Sequence, residues 1–257
     1  MNNKTQLIDT HAHYDHKQFN QDREELLTQM AADGIASIIN VGCDLKSSRE
    51  SVALAEAHPF IYATVGVHPH NAKTLSDKSL KELEALCAHA KVVAYGEIGL
   101  DFFHNFSPPD IQRHWFKKQL DLVKELDIPA VIHSRDAAEE TFEMVEKSSL
   151  KRGVIHSFSG DVALAYAYTH LGFHIGIGGV VTFDKTKRLQ EVVDAIPLDK
   201  ILLETDAPYL TPAPFRGKRN ISSYLTYVAT AIAEIKGVTY EQVCAQTSDN
   251  ARGLFGV

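Results

Sequence analysis

The chain has 257 residues, 44% of them hydrophobic and 23% charged, and a formal net charge of −7. This length suits one (β/α)8 barrel or two small domains, and the composition excludes a disordered or fibrous chain. The acidic balance excludes a global basic field for nucleic acid, so attraction to a polyanionic substrate has to be local, as bound metal ions would make it.

Short apolar runs alternate along the chain with amphipathic segments. Leu7–His13 reads as a strand, followed by a helix over Gln21–Asp33 that stops at Gly34. Ala36–Gly42 and Ile61–Val67 read as strands on either side of a helix over Leu45–Ala57. A helix over Asp77–Ala90 carries Leu80, Leu83 and Cys87 on one face, and the strand Val92–Leu100 follows. The helix Asp110–Leu126 has Pro109 available for its first turn. Then come Ala130–Ser134, a helix over Asp136–Lys147, Gly153–Phe158, a helix over Asp161–Leu171, His174–Gly178, a helix over Asp184–Ala195 and Lys200–Glu204. Helices over Ser222–Ile235 and Thr239–Asn250 close the chain, and several helices begin at an Asp or Ser able to cap the first turn. Eight apolar strands alternating with helices predict an all-parallel α/β fold, and strand number and length favour a single (β/α)8 TIM barrel domain over residues 1–257. The first strand is not followed by G-x-G-x-x-G, which argues against a dinucleotide-binding sheet.

The three cysteines, Cys43, Cys87 and Cys244, lie far apart and form no C-x-x-C pair. Free thiols in a reducing compartment are the expectation. The start, MNNKTQLIDT, lacks the basic and apolar regions of a signal peptide, and no apolar run approaches the roughly 18–20 residues of a membrane span. A cytoplasmic monomer without membrane attachment is expected.

Thirteen histidines are many for this length, and their placement is informative. The first strand ends Asp9-Thr10-His11-Ala12-His13, and strand alternation points His11 and His13 the same way. Two imidazoles so spaced chelate zinc or a similar ion readily, although solvent-facing histidines are the alternative. Glu97 lies within the apolar fourth strand, where a lone carboxylate needs a cation, either a metal or a barrel Lys or Arg. The fifth and sixth strands each deliver a histidine at the carboxyl end, His133 and His156. The eighth ends at Asp206 before Pro208, with Glu204 one layer deeper. Six nitrogen and oxygen ligands without sulfur fit Zn, Mn or Mg, and six exceed the three protein ligands of one catalytic zinc. Two divalent ions sharing a carboxylate use the set more fully.

These blocks carry a resemblance. Asp9-Thr10-His11-Ala12-His13, Gly96-Glu97-Ile98-Gly99-Leu100-Asp101, His133-Ser134-Arg135-Asp136-Ala137, His156-Ser157-Phe158-Ser159-Gly160, Leu203-Glu204-Thr205-Asp206-Ala207-Pro208-Tyr209-Leu210 and Arg216-Gly217-Lys218-Arg219-Asn220 resemble, in order, the TatD family of metal-dependent hydrolases and DNases. The resemblance implies that His11, His13, Glu97 and Asp206 hold one ion, that Glu97, His133 and His156 hold the second, and that Glu97 bridges them. One departure is Ile221-Ser222, where many members of the family have Glu-Pro.

The expected activity is phosphodiester hydrolysis at DNA ends, 3′-5′ exonuclease-like, by a metal-activated water. Asp206 and Glu97 are the expected catalytic residues, with Asp206 orienting the water or taking its proton. His68 and Arg135 are the expected phosphate contacts, with His70, His104 and Arg219 behind them. Few basic side chains imply a short footprint on DNA ends or short single-stranded DNA. The alternatives are a metal-dependent amide or ester hydrolase such as a deacylase, and a scaffold that keeps metal for structure.

Overall fold

The computed structural model describes residues 6–257. Its regular elements, in chain order, are β1 (Leu7–Ala12), α1 (Arg23–Met30), β2 (Ile35–Val41), α2 (Leu45–Ala57), β3 (Ile61–Val65), α3 (Asp77–Leu86), β4 (Val92–Asp101), α4 (Pro109–Leu126), β5 (Ala130–Arg135), α5 (Ala138–Ser148), β6 (Gly153–Ile155), α6 (Val162–His170), β7 (Phe173–Ile177), α7 (Arg188–Ala195), β8 (Ile201–Leu203), α8 (Leu225–Lys236) and α9 (Tyr240–Phe255). The strands form one eight-stranded sheet in sequence order. A parallel bridge between Ala12 and Ala207 puts the chain just beyond β8 beside β1, so the order returns on itself. This is the predicted (β/α)8 barrel, each strand reached through a helical crossover.

The chain's contacts group it into two compact units, Met1–Asn40 with Ser157–Tyr166 and Ile175–Val257, and Val41–His156 with Ala167–His174. In the first unit β1 pairs with β2 and β7 with β8, all parallel. Helix α9 buries Val243, Ala251 and Leu254, and its Asn250 amide donates to the Ile201 carbonyl at 2.8 Å, anchoring the start of β8. In the second unit β3, β4, β5 and β6 pair in turn, with Ile98 opposite Ile132 and Gly99 opposite His133.

Helix α4 fixes two strand ends of this unit through buried glutamines seven residues apart on one face. Gln119 takes the Val67 amide at 2.9 Å, and Gln112 takes the Asp101 amide at 2.8 Å. Buried backbone groups beyond a strand's last ladder bond need such partners. The consequence is that His68 and Asp101 leave fixed platforms.

Element ends depart from the sequence reading where the chain turns sharply. Strands β1, β6 and β8 stop before His13, His156 and Asp206, and β4 runs one residue further, to Asp101. Ser157 and Asp206 have φ of 45° and 58°, which ends the extended run at each. Asp161 caps α6 as expected, its Oδ1 accepting the Leu164 amide at 2.9 Å, whereas α2 and α3 are capped by Asp44 and Ser76, each one residue ahead of the helix start read from the sequence. Asp22 does not cap α1; it is drawn instead into an ion pair with Arg219 at 2.5 Å.

Candidate active site

In the first unit, β1 delivers His11, and His13 follows its last residue, held by a bond from its amide to the Ala207 carbonyl at 2.7 Å. The Asp206 amide donates to the His11 carbonyl at 2.8 Å, which fixes the aspartate beside them. The Nε2 atoms of His11 and His13 lie 3.2 Å apart, and Asp206 Oδ1 lies 3.3 Å from His13 Nε2 and 3.9 Å from His11 Nε2. Two imidazole lone pairs and a carboxylate oxygen converging on one point fit a divalent cation with borderline or hard character. His11 is buried, whereas the Asp206 side chain is 16% exposed and is the most exposed member of the set.

Beneath this set lies Asp9, to which the sequence reading gave no role. It accepts hydrogen bonds from the Thr205 amide and hydroxyl, at 3.0 and 2.6 Å, and from the Ser222 hydroxyl at 2.6 Å. Ser222 belongs to the segment that departs from the family pattern, and Tyr14 donates to its oxygen in turn. Burial pushes the Asp9 carboxyl up from 3.8 to about 6, against the opposing bonds from Ser222 and Thr205. A carboxyl with a raised folded-state pKa favours the fold while protonated. Its contribution is complete below pH 3.8, is lost as pH rises to about 6, and is constant above that. Asn fits the same place, because its amide group can donate to the two hydroxyls. Urea melts of chelator-treated protein are therefore expected to show Asp9→Asn gaining on wild type by up to about 3 kcal/mol between pH 4 and 6, and nothing further above. Parallel pH profiles for the two proteins would refute this.

In the second unit, Glu97 of β4 is buried among imidazoles. Its Oε1 lies 2.8 Å from His133 Nδ1, 3.5 Å from His68 Nε2 and 3.9 Å from His156 Nε2, and the Cys43 thiol faces Oε2 at 3.8 Å. His68, Glu97 and His133 lie close enough together to hold a second cation, and His156 approaches the same carboxylate. His68 stands apart in this group. Its Nδ1 accepts the His70 amide at 3.1 Å, and burial holds its pKa well below 6.5. A neutral ring whose Nδ1 accepts carries its proton on Nε2 and can donate into the site, while the same residue belongs to the His68, Glu97 and His133 group that could hold a cation.

Asp101, quoted in the motif but given no role, sits on the face of β4 shared with Glu97 and Gly99. Its Oδ2 meets His70 Nε2 at 2.9 Å, His133 Nε2 at 3.2 Å and His104 Nδ1 at 3.3 Å. Burial opposes its charge, but the bonds from His133 and His104 outweigh that, and the carboxyl stays well below the usual range. His133 likewise resists burial through Asp101 and Glu97, and its pKa is raised. Asp101 thereby fixes which His133 nitrogen turns to Glu97. The signal in the sequence was the period-two spacing of Glu97, Gly99 and Asp101.

The remaining predicted residues are placed as follows. Arg135, the last residue of β5, is exposed and lies 4.3 Å above the Phe103 ring. No carboxylate among the described residues neutralises it. Arg219 is tied to Asp22, so its charge is spent within the fold. Glu204 accepts the Ser157 amide at 2.7 Å and secures the turn that follows His156 in the chain. Asn220 bonds the Thr205 and Tyr209 carbonyls at 2.8 and 2.7 Å, steadying the loop beyond Asp206.

A (β/α)8 barrel with histidines and carboxylates gathered at the carboxyl ends of its strands defines a metal-dependent hydrolase. The family described as TatD related DNase matches residues 8–256. The chain is 41% identical to the "Uncharacterized metal-dependent hydrolase YabD" of Bacillus subtilis, covering 98% of this chain and 99% of that one. It is 36% identical to the "3'-5' ssDNA/RNA exonuclease TatD" of Erwinia amylovora, covering 93% and 96%. The crystal structure of YjjV, a TatD homologue from Escherichia coli, superposes with a TM-score of 0.93 at 33% identity, covering 98% of each chain. This chain belongs to the TatD-related DNase family. Among the described residues, no helix is long and apolar enough to cross a membrane.

Proposed function

We propose that the protein is a two-metal exonuclease that removes nucleotides from single-stranded 3′ ends. One observation carries the reading: each compact unit holds its own nitrogen and oxygen donors, His11, His13 and Asp206 converging in one, and in the other Glu97 with the nitrogens of His133, His68 and His156 at 2.8, 3.5 and 3.9 Å from its Oε1. The relatives named 3'-5' ssDNA/RNA exonucleases supply the substrate class. Divalent ions in these sets would acidify a water and neutralise phosphoryl oxygens. Zn, Mn and Mg are all compatible with such donors.

The chain's own groups do the rest. Asp206, the most exposed member of its set, orients the attacking water and takes its proton. The buried His68 donates from Nε2 to a phosphoryl oxygen, and the exposed Arg135 meets an adjoining phosphate, which its planar fork suits. An acidic protein thus attracts an anion locally, at its metal centre and the groups beside it. The proposed organisation is a single hydrolase domain.

The test combines metal analysis with a substrate panel. The purified protein is expected to contain divalent metal, and chelation to abolish release of nucleotides from 3′-labelled single-stranded DNA. Re-addition of Mg, Mn or Zn singly then identifies the supporting ion. Single-stranded RNA, blunt duplex DNA and a simple lactone complete the panel. Turnover confined to the lactone would replace this reading with the deacylase.

A further inference from the structure

We propose that the loop after β4 is a stacking platform for nucleobases near the cleaved end, by which the enzyme selects single strands. The inference rests on the exonuclease reading and deepens it. Phe103 and Phe106 are 58% and 57% exposed, although each would gain by burial. They flank His104, whose ring centroid lies 4.9 Å from Phe103 and 5.3 Å from Phe106. The row continues inward, with Phe106 4.8 Å from His70, His70 4.3 Å from His68 and His68 4.3 Å from His133. Exposed rings are therefore continuous with the proposed metal ligands of the same unit.

The loop is braced in place. Asp101 Oδ1 accepts the His104 amide at 2.9 Å, and the Phe102 amide donates to the Arg135 carbonyl at 3.0 Å. Ser107 is buried and donates to the His70 carbonyl at 2.8 Å, while Gln112 donates to the Ser107 and Asp101 carbonyls. Rings held out from a fixed backbone are organised before binding, which lowers the entropy lost on contact.

The chemistry selects the occupant. The Arg135 guanidinium over Phe103 adds a phosphate-binding cation beside an aromatic face. Aromatic faces with an adjoining cation match the bases and phosphates of a single strand. Bases in a duplex are already stacked and cannot present their faces without unpairing.

The test uses full-length, metal-loaded enzyme and oligonucleotides whose 3′-terminal positions carry bases or abasic analogues. Phe103→Ala and Phe106→Ala are expected to raise KM for the normal strand about tenfold or more, the effect of losing one stacked base, with little change in kcat. Wild type is expected to lose a similar factor on the abasic strand, and the variants to lose little more. Phe103→Trp should restore KM, because a ring is required and not this ring. Unchanged KM in both Ala variants overturns the platform, and so does wild-type indifference to abasic ends, while wild-type turnover of the normal strand leaves the exonuclease reading intact. Absence of wild-type turnover on every nucleic acid defeats both. A variant that changes oligomeric state at constant KM overturns the platform in favour of self-association.

Discussion

Asp206→Asn is expected to lower kcat on single-stranded DNA by about 10²–10⁴-fold, the range for loss of a positioned general base. Asn keeps the volume and one oxygen toward His13 but loses the charge and basicity. It also suits the backbone, because Asp206 has φ of 58° and Asn tolerates the left-handed region well. The bond from its amide to the His11 carbonyl is retained, so the fold should survive. Steady-state kinetics and a thermal melt on one preparation separate the possibilities. A large fall in kcat with an unchanged melt supports a role in the reaction. Wild-type kcat would remove Asp206 from the mechanism, and a collapsed melt would recast it as structural.

Gly99→Ala is expected to cause the largest loss of stability of any single methyl group added in β4. A Cβ at Gly99 would lie 1.9 Å from the His133 carbonyl oxygen, and φ of 151° disfavours an L side chain. The obstacle is backbone, so no rotamer change relieves it. Strands β4 and β5 would have to separate where Gly99 pairs with His133, and Glu97 and His133, now 2.8 Å apart, would move with them. A cost of about 3–5 kcal/mol follows from overpacking and strain together, or roughly 10 °C in Tm for a chain of this size. Poor soluble yield, or a Tm lower by that amount with metal content reduced, is the expected outcome. A variant with wild-type Tm and activity would show that the strands yield at little cost.

The order of the elements and most of the donor set were legible in the sequence because they depend on short-range regularity. Buried parallel strands must be apolar throughout, so Val92–Leu100 and Ala130–Ser134 declared themselves, and the polar residues interrupting such runs, Glu97 and His133, stood out. The H-x-H spacing of His11 and His13 brings their Nε2 atoms to 3.2 Å, although β1 ends at Ala12 between them. The helix cap at Asp161 is equally local.

What the sequence determined was which side chains are available at the strand ends, since periodicity and burial act within a few residues. Only the tertiary structure decided how each is used. The proton on His68 depends on the His70 amide, the orientation of His133 on Asp101, the charge of Asp9 on its burial and, against that, on Ser222 far along the chain, and the fate of Arg219 on Asp22. Hydrogen bonds and desolvation act through space over a few ångströms, and no local pattern records which distant residue will arrive there.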